Sequence, residues 1–376
     1  MKKYIIYSEK NNKERCGLMK KLLSIGIIVG FIGAILTKLG NPVNMGFCIA
    51  CFLRDIAGGL NMHQAGIVQY LRPEVAGLVL GAFIIALVKN EFKVEGGSAP
   101  LLRFFIAIFM MVGAMVFLGC PLRMVLRIAG GDLNAIVGLF GFIFGIYLGL
   151  KALKGGFTLG KATKQENKTS GYIMPAFFVM LLIFVVVKPE FINFSSEGPG
   201  SFTAPILVAL GTGLIVGILA QRSRLCMAGG IRDVLMIKDF HMVSGFIGIL
   251  VAALITNIAI GKFNLGFAEQ NVAHTEHIWN FLGLALVGFC AILLGGCPLR
   301  QLILAGQGNL DAATTVLGLI VGGAVVHNFG TAASPAGVPT NGKIGVVICF
   351  IILAVIVFTH SKKIIVRRDK DVSIGR

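Results

Sequence analysis

The chain has 376 residues, 56% hydrophobic and only 14% charged, with a mean hydropathy of +0.86 and a formal net charge of +17. Soluble domains average about 25% charged residues, so a soluble globular protein is excluded. The basic excess does not indicate nucleic acid either, because Lys and Arg gather in short segments between apolar runs, where they would orient a protein in a bilayer.

In chain order, residues 1–21 form a basic tail that carries Cys16, read as an ordinary reduced thiol. The continuous apolar runs predict ten spans, at about 22–39, 74–88, 101–119, 134–150, 172–187, 204–220, 242–260, 279–296, 312–328 and 344–359. Continuous rather than alternating runs exclude a β-barrel. Fifty glycines suit helices that approach closely inside a membrane. The first run lacks a small-x-small cleavage site, so it reads as a span and not as a signal peptide. Four apolar pieces are too short to cross: 41–59, 120–131, the segment at Cys226–Asp233, and 297–306. Each is expected to be re-entrant, since non-helical backbone at membrane depth survives only where it lines a cavity or is buried in protein.

The two halves repeat. Gly119-Cys120-Pro121-Leu122-Arg123 recurs 177 residues later as Gly296-Cys297-Pro298-Leu299-Arg300. Cys48-Ile49-Ala50-Cys51-Phe52-Leu53-Arg54-Asp55 matches Cys226-Met227-Ala228-Gly229-Gly230-Ile231-Arg232-Asp233, so Cys51 stands opposite Gly229. Five spans per half is odd, and the second half therefore enters from the opposite side of the membrane. The expected organisation is all-α and polytopic, with two inverted-topology repeats of five transmembrane helices plus two short re-entrant helices each. A basic cytoplasmic tail at 1–21 precedes the first repeat at 22–187. An external linker follows at 188–203, then the second repeat at 204–360 and a basic cytoplasmic tail at 361–376. The positive-inside rule agrees: the predicted outside loops 188–203, 261–278 and 329–343 carry one Lys each.

The cysteine turns carry the chemistry. Gly permits a sharp helix end, and Pro suits the first turn of a new helix. Cys then sits at the cap of a short helix whose positive end points into the bilayer, a setting that binds anions and favours thiolate. Arg123 and Arg300, three residues on, return to the cysteine's face. These residues predict a substrate path at Cys48, Cys120, Cys226, Cys297, Arg123 and Arg300, with Cys120 and Cys297 facing each other across a constriction. Accessory candidates are Cys51, Arg54, Asp55, Arg127, Arg232 and Asp233. The neighbouring pairs Arg54-Asp55 and Arg232-Asp233 also read simply as self-neutralising. Asp132 and Asn134, and likewise Asn309 and Asp311, are expected to cap spans four and nine. Cys290 and Cys349 read as packing. The nearest approach to a metal spacing, His274-Thr275-Glu276-His277, reads as a solvated loop. No phosphate-binding Gly loop, nucleophile elbow or Walker motif occurs, so neither an enzyme, a cofactor nor a metal is expected.

At these residues the sequence resembles the YeeE/YedE family of membrane proteins, from about Leu22 to His360. The carriers are the duplicated Gly-Cys-Pro-Leu-Arg turns, Cys226–Asp233 and the turn at Cys48. The Cys-Pro-Leu-Arg form is most similar to the YedE subgroup, which is proposed to serve selenium metabolism. The resemblance implies inner-membrane uptake of a small sulfur-containing anion such as thiosulfate, or of a reduced selenium compound. It also implies central-path roles for Cys48, Cys120, Cys226 and Cys297. Cys51, without a counterpart in the second half, and Arg127, opposite Leu304, depart from the repeat. The residues leave two alternatives open: a membrane thiol–disulfide oxidoreductase using Cys48-x-x-Cys51, and a relay to a cytoplasmic sulfur or selenium carrier protein docked on the basic inner loops. The partners expected are thus the bilayer, the anion and that carrier.

Overall fold

The computed structural model describes the backbone of residues 2–374 and the side chains of residues 17–361; Cys16 and most of both tails lie outside the residues described in full. The first half comprises α1 (Lys2–Lys38), α2 (Ile49–Gly59), α3 (Pro73–Val88), β1 (Glu95–Gly96), α4 (Pro100–Phe117), α5 (Pro121–Ala129), α6 (Asn134–Lys154), β2 (Thr163–Lys164) and α7 (Ile173–Val187). The second comprises α8 (Ile206–Ser223), α9 (Met227–Ile237), α10 (His241–Ala259), α11 (His277–Leu294), α12 (Pro298–Gly306), α13 (Leu310–Asn328) and α14 (Thr340–Ile374). Nine of the ten expected spans fall on runs long and apolar enough to cross a membrane among the described residues; the remaining one, 74–88, is the shorter apolar helix α3. The chain is an all-α polytopic membrane protein, with one two-residue antiparallel ribbon in which β1 pairs with β2.

Lipid gives helices no hydrophobic reason to associate, so close backbone packing has to hold them together. The sequence supplies it as glycine rows. Gly26 and Gly30 of α1 meet the backbone of α10, and a methyl group at either would overlap the carbonyl of Gly245 or Ile249. Gly77 and Gly81 of α3 do the same against α8, and Gly141 and Gly145 of α6 against α11. The packing scheme repeats when each helix is exchanged for the one seven places on. α1 lies on α10 as α8 lies on α3, α6 on α11 as α13 on α4, and α5 on α10 as α12 on α3; α4 crosses α11 at Gly113 and Gly283.

The bundle has two distinguishable ends. At the loop end, segments 188–203 and 261–272 meet around the end of α1. At the ribbon end, β1–β2 lies beside the start of α4. α2 is re-entrant: the chain leaves α1 at Gly40, beside Thr203, dips along 41–47 until Gly46 touches Gly33, and returns through α2 to the loop end, where Asn328 Nδ2 donates to the carbonyl of Met62 (3.0 Å). The pieces after Cys120 and Cys297 correct the expectation. They are not re-entrant, because each completes the traverse begun by the preceding helix. α4 starts beside the ribbon, and α5 ends at the opposite loop, where Asn264 N donates to the carbonyl of Gly130 (2.9 Å). α11 and α12 run the other way, and α12 ends where Lys93 N donates to the carbonyl of Gln307 (3.1 Å). The physical reason is local. Leu118 and Gly295 are left-handed C-caps that stop the first helix, and Pro121 and Pro298 start the second with little change of heading.

Candidate functional site

The four turn cysteines are the N-caps of the four short helices: Cys48 of α2, Cys120 of α5, Cys226 of α9 and Cys297 of α12. They gather in two stations. At the loop-end station the starts of α2 and α5 converge and bring Cys120 beside Cys48. Cys51, at the third position of α2, places Sγ 2.7 Å from Cys48 Sγ and donates its N–H to that sulfur (3.4 Å). Arg123 is fully buried. It donates to the carbonyls of Asn44 (3.3 Å), Val272 (3.1 Å) and Leu118, and to Cys51 Sγ (3.6 Å).

The ribbon-end station is built the same way from α9 and α12. Cys226 Sγ and Cys297 Sγ are 3.9 Å apart, and the N–H of Gly229 reaches Cys226 Sγ (3.3 Å). Arg300 sits beside both thiols with Arg224 near it, and its Nη1 is buried without a hydrogen-bond partner among the described residues. The stations lie at different depths. Phe117, just before Cys120, packs level with Gly283 early in α11, whereas Leu294, just before Cys297, accepts from Arg103 Nη1 (3.2 Å) near the start of α4. On the order of 15 Å of helix axis separates them. Cys120 and Cys297 therefore do not face each other across one constriction; each pairs with the cap cysteine of its own half.

The accessory candidates scatter. Asp55 binds both Arg54 (2.6 Å) and Arg72 (2.7 Å) in a buried cluster one turn beyond Cys51. Arg232 binds Asp233 (2.8 Å), but this pair is partly exposed. Arg127 is buried against Asp132 (2.6 Å), the carbonyl of Phe117 (2.7 Å) and the ring of Phe117. Of the expected caps, Asn309 accepts from Ala312 N (2.8 Å) as anticipated. Asp311 instead crosses to the other half to accept from Gly97 N (2.9 Å) and the Ser98 hydroxyl. Asp132 caps through Asn134 N (2.9 Å) while holding Arg127. Outside the spans, Lys343 and the N–H of Val338 hold the Glu276 carboxyl below its ordinary value and tie the last loop to the start of α11.

Sequence reasoning passed over Arg72, Glu74 and the stacked rings of His63 and His327, 4.5 Å apart. Glu74 had a signal, a carboxylate at the head of an apolar run. The histidines had none, because they are far apart in sequence.

Residues 222–366, which contain the whole ribbon-end station, match the family described as "Sulphur transport". The match covers 145 of the 376 residues, all in the second half of the chain. Among curated relatives it is similar to the thiosulfate transporter TsuA of Escherichia coli (strain K12), 25% identical over 124 residues, which is 33% of this chain and 34% of the relative. It is also similar to the thiosulfate transporter TsuA of Spirochaeta thermophila, 27% identical over 107 residues, 28% of this chain and 32% of the relative. The matched stretch thus spans about a third of the length of these relatives.

Proposed function

We propose that the chain is an uptake system of the inner membrane for a small, soft, sulfur-bearing anion such as thiosulfate, or for a reduced selenium compound of the same character. The observation that carries the reading is the ribbon-end station. A buried arginine N–H with no partner is costly unless something occupies it, and here it adjoins two thiols and two helix starts, all suited to an anion. In this reading the termini and the ribbon end are cytoplasmic and the loop end is external. Residues 22–187 and 204–360 are inverted repeats, which the repeating packing scheme supports. The anion passes from Cys48, Cys120 and Arg123 outside to Cys226, Cys297 and Arg300 inside, held by hydrogen bonds weak enough to release it. The names of the two relatives support thiosulfate as the first substrate to try.

One observation favours a second reading. The contact of Cys48 and Cys51 at the start of α2 is the arrangement a thiol–disulfide oxidoreductase would use. One experiment separates the two. Purified protein in liposomes should take up labelled thiosulfate, with selenite and hydrogen selenide as competitors, and Cys120→Ala and Cys297→Ala should each slow entry about tenfold or more, the loss of roughly 1.4 kcal/mol of stabilisation. Cys51→Ser should change the rate less than about twofold. Unchanged uptake in both alanine variants would sink the thiol path, and loss of function in Cys51→Ser alone would favour the redox reading. Addition of a cytoplasmic sulfur-carrier protein inside the liposomes tests the relay at the basic ribbon-end loops.

A further inference from the structure

Glu74 lies in the first turn of α3, only 1% exposed. Its Oε1 accepts from Asn41 Nδ2 (2.7 Å), while its Oε2 is buried and has no partner among the described residues. A carboxylate left half-satisfied at membrane depth is expensive, and an ionisable group in such a place is functional by default. Its neighbours commit their charges elsewhere. The groups that face it are Arg72 at the start of the same helix, Asp55 from α2 and Tyr70 from the segment before α3. Lys188, at the end of α7, lines the adjoining cavity with Tyr70. α8 offers the bare backbone of Gly213 there, and the one cation of α12, Arg300, belongs to the other end. Arg72 is spent on Asp55 and on the carbonyls of Pro199 (2.9 Å) and Phe202 (3.1 Å), and Arg54 on Asp55.

Two further observations give Glu74 a route and a lever. Asn41 lines a cavity of about 250 Å³ at the loop end, together with Lys262 and with Val272, whose carbonyl accepts from Arg123. That cavity therefore opens from the loop end onto the residue that binds Glu74. Asn41 also opens the dipping segment 41–47: its Nδ2 donates to the carbonyl of Gly46 (3.3 Å) and its Oδ1 accepts from Ala204 N (2.9 Å). That segment ends on Cys48. Protonating Glu74 alters what Asn41 holds, and Asn41 positions the chain that carries the loop-end thiols. The charge count points the same way. Arg54 and Arg72 balance Asp55 and an ionised Glu74, so a protonated Glu74 leaves one surplus positive charge in the buried cluster. Each proton taken up thus offsets one negative charge of an entering anion, which limits the cost of burying it.

We infer that Glu74 is a proton-binding site that couples anion entry to an inward proton gradient. The inference rests on the uptake reading above. It is tested with full-length protein in liposomes, labelled thiosulfate as the probe, and Glu74→Gln, which keeps the acceptor for Asn41. An inside-alkaline gradient of about one pH unit should raise accumulation about tenfold for each proton that accompanies the anion, and a protonophore should cancel the gain. Glu74→Gln should still exchange thiosulfate between the two sides but ignore the gradient. Wild-type uptake that is indifferent to the gradient, or a gradient response that survives in Glu74→Gln, overturns the coupling and leaves the uptake reading standing. If thiosulfate enters in no preparation, the uptake reading fails, and infrared titration in lipid still decides the proton site. A carboxylic-acid carbonyl band that titrates in wild type and is missing in Glu74→Gln supports it; no such band in wild type ends it.

Discussion

The two thiol stations are built on one plan and finished differently. Each brings two short-helix starts, two cap cysteines and one arginine together, yet the loop-end station is closed on itself and the ribbon-end station is not. Arg123 is consumed by three backbone carbonyls and a third thiol, and Cys48, Cys51 and Cys120 are at most 1% exposed. Arg300 keeps a free N–H, Gly229 replaces the third thiol, and Cys226 is 6% exposed. The cause lies upstream. In the first half Gly40–Phe47 dips into the bundle, sets Gly46 against Gly33 and brings the Asn44 carbonyl to Arg123, while in the second half only Arg224 and Leu225 separate α8 from Cys226. Repetition of a motif thus fixes the chemistry of a site, and the connecting segment fixes whether the site is open.

Three experiments would break or sharpen that contrast. The largest effect is expected at the arginines. Arg123→Ala strips three buried carbonyls of their donor and should cost about 3–5 kcal/mol of stability, seen as a fall in the melting temperature in detergent. Arg300→Ala should cost under about 1 kcal/mol while abolishing most thiosulfate uptake. Equal melting shifts would mean that the stations are equally closed. A comparable and more diagnostic effect is expected at Arg127, whose repeat partner is Leu304, just as the partner of Asp132 is Asn309. Arg127→Leu alone leaves a buried carboxylate and should destabilise by about 3–5 kcal/mol. Adding Asp132→Asn, so that both positions carry the second-half residues, should recover at least about half of that loss; no recovery would show that Arg127 acts through Phe117 and not through the ion pair. The smallest effect is kinetic. A membrane-impermeant maleimide applied from the ribbon end should modify Cys226 before any loop-end cysteine, by about tenfold in rate, and thiosulfate should slow it. Modification of all the turn cysteines at one rate would remove the difference in closure.

Much of this was legible in the chain. Long apolar runs give spans because lipid cannot satisfy a backbone, so all ten appear as helices where the runs predict them. Gly-Cys-Pro marks a helix stop followed by a helix start, so the chain itself places Cys120 and Cys297 as caps. Other features could not be read this way, because they depend on where helices distant in sequence come to lie. Nothing in Gly119–Arg123 says whether α5 turns back or continues; the neighbouring loop at Asn264 decides it. Nothing in Asp311 says that it will leave its own helix start to hold Ser98 of the other half.

The sequence by itself determined that this is a duplicated, helical membrane protein with cysteine at four helix starts, because hydropathy, proline and glycine act over a few residues. The tertiary structure alone decided that these cysteines form two stations at two depths, that one arginine is spent and the other free, and that Glu74 is buried with half its carboxylate unanswered. Such facts are settled by which backbone carbonyls reach a given guanidinium or carboxyl group, and that is a property of the packed chain.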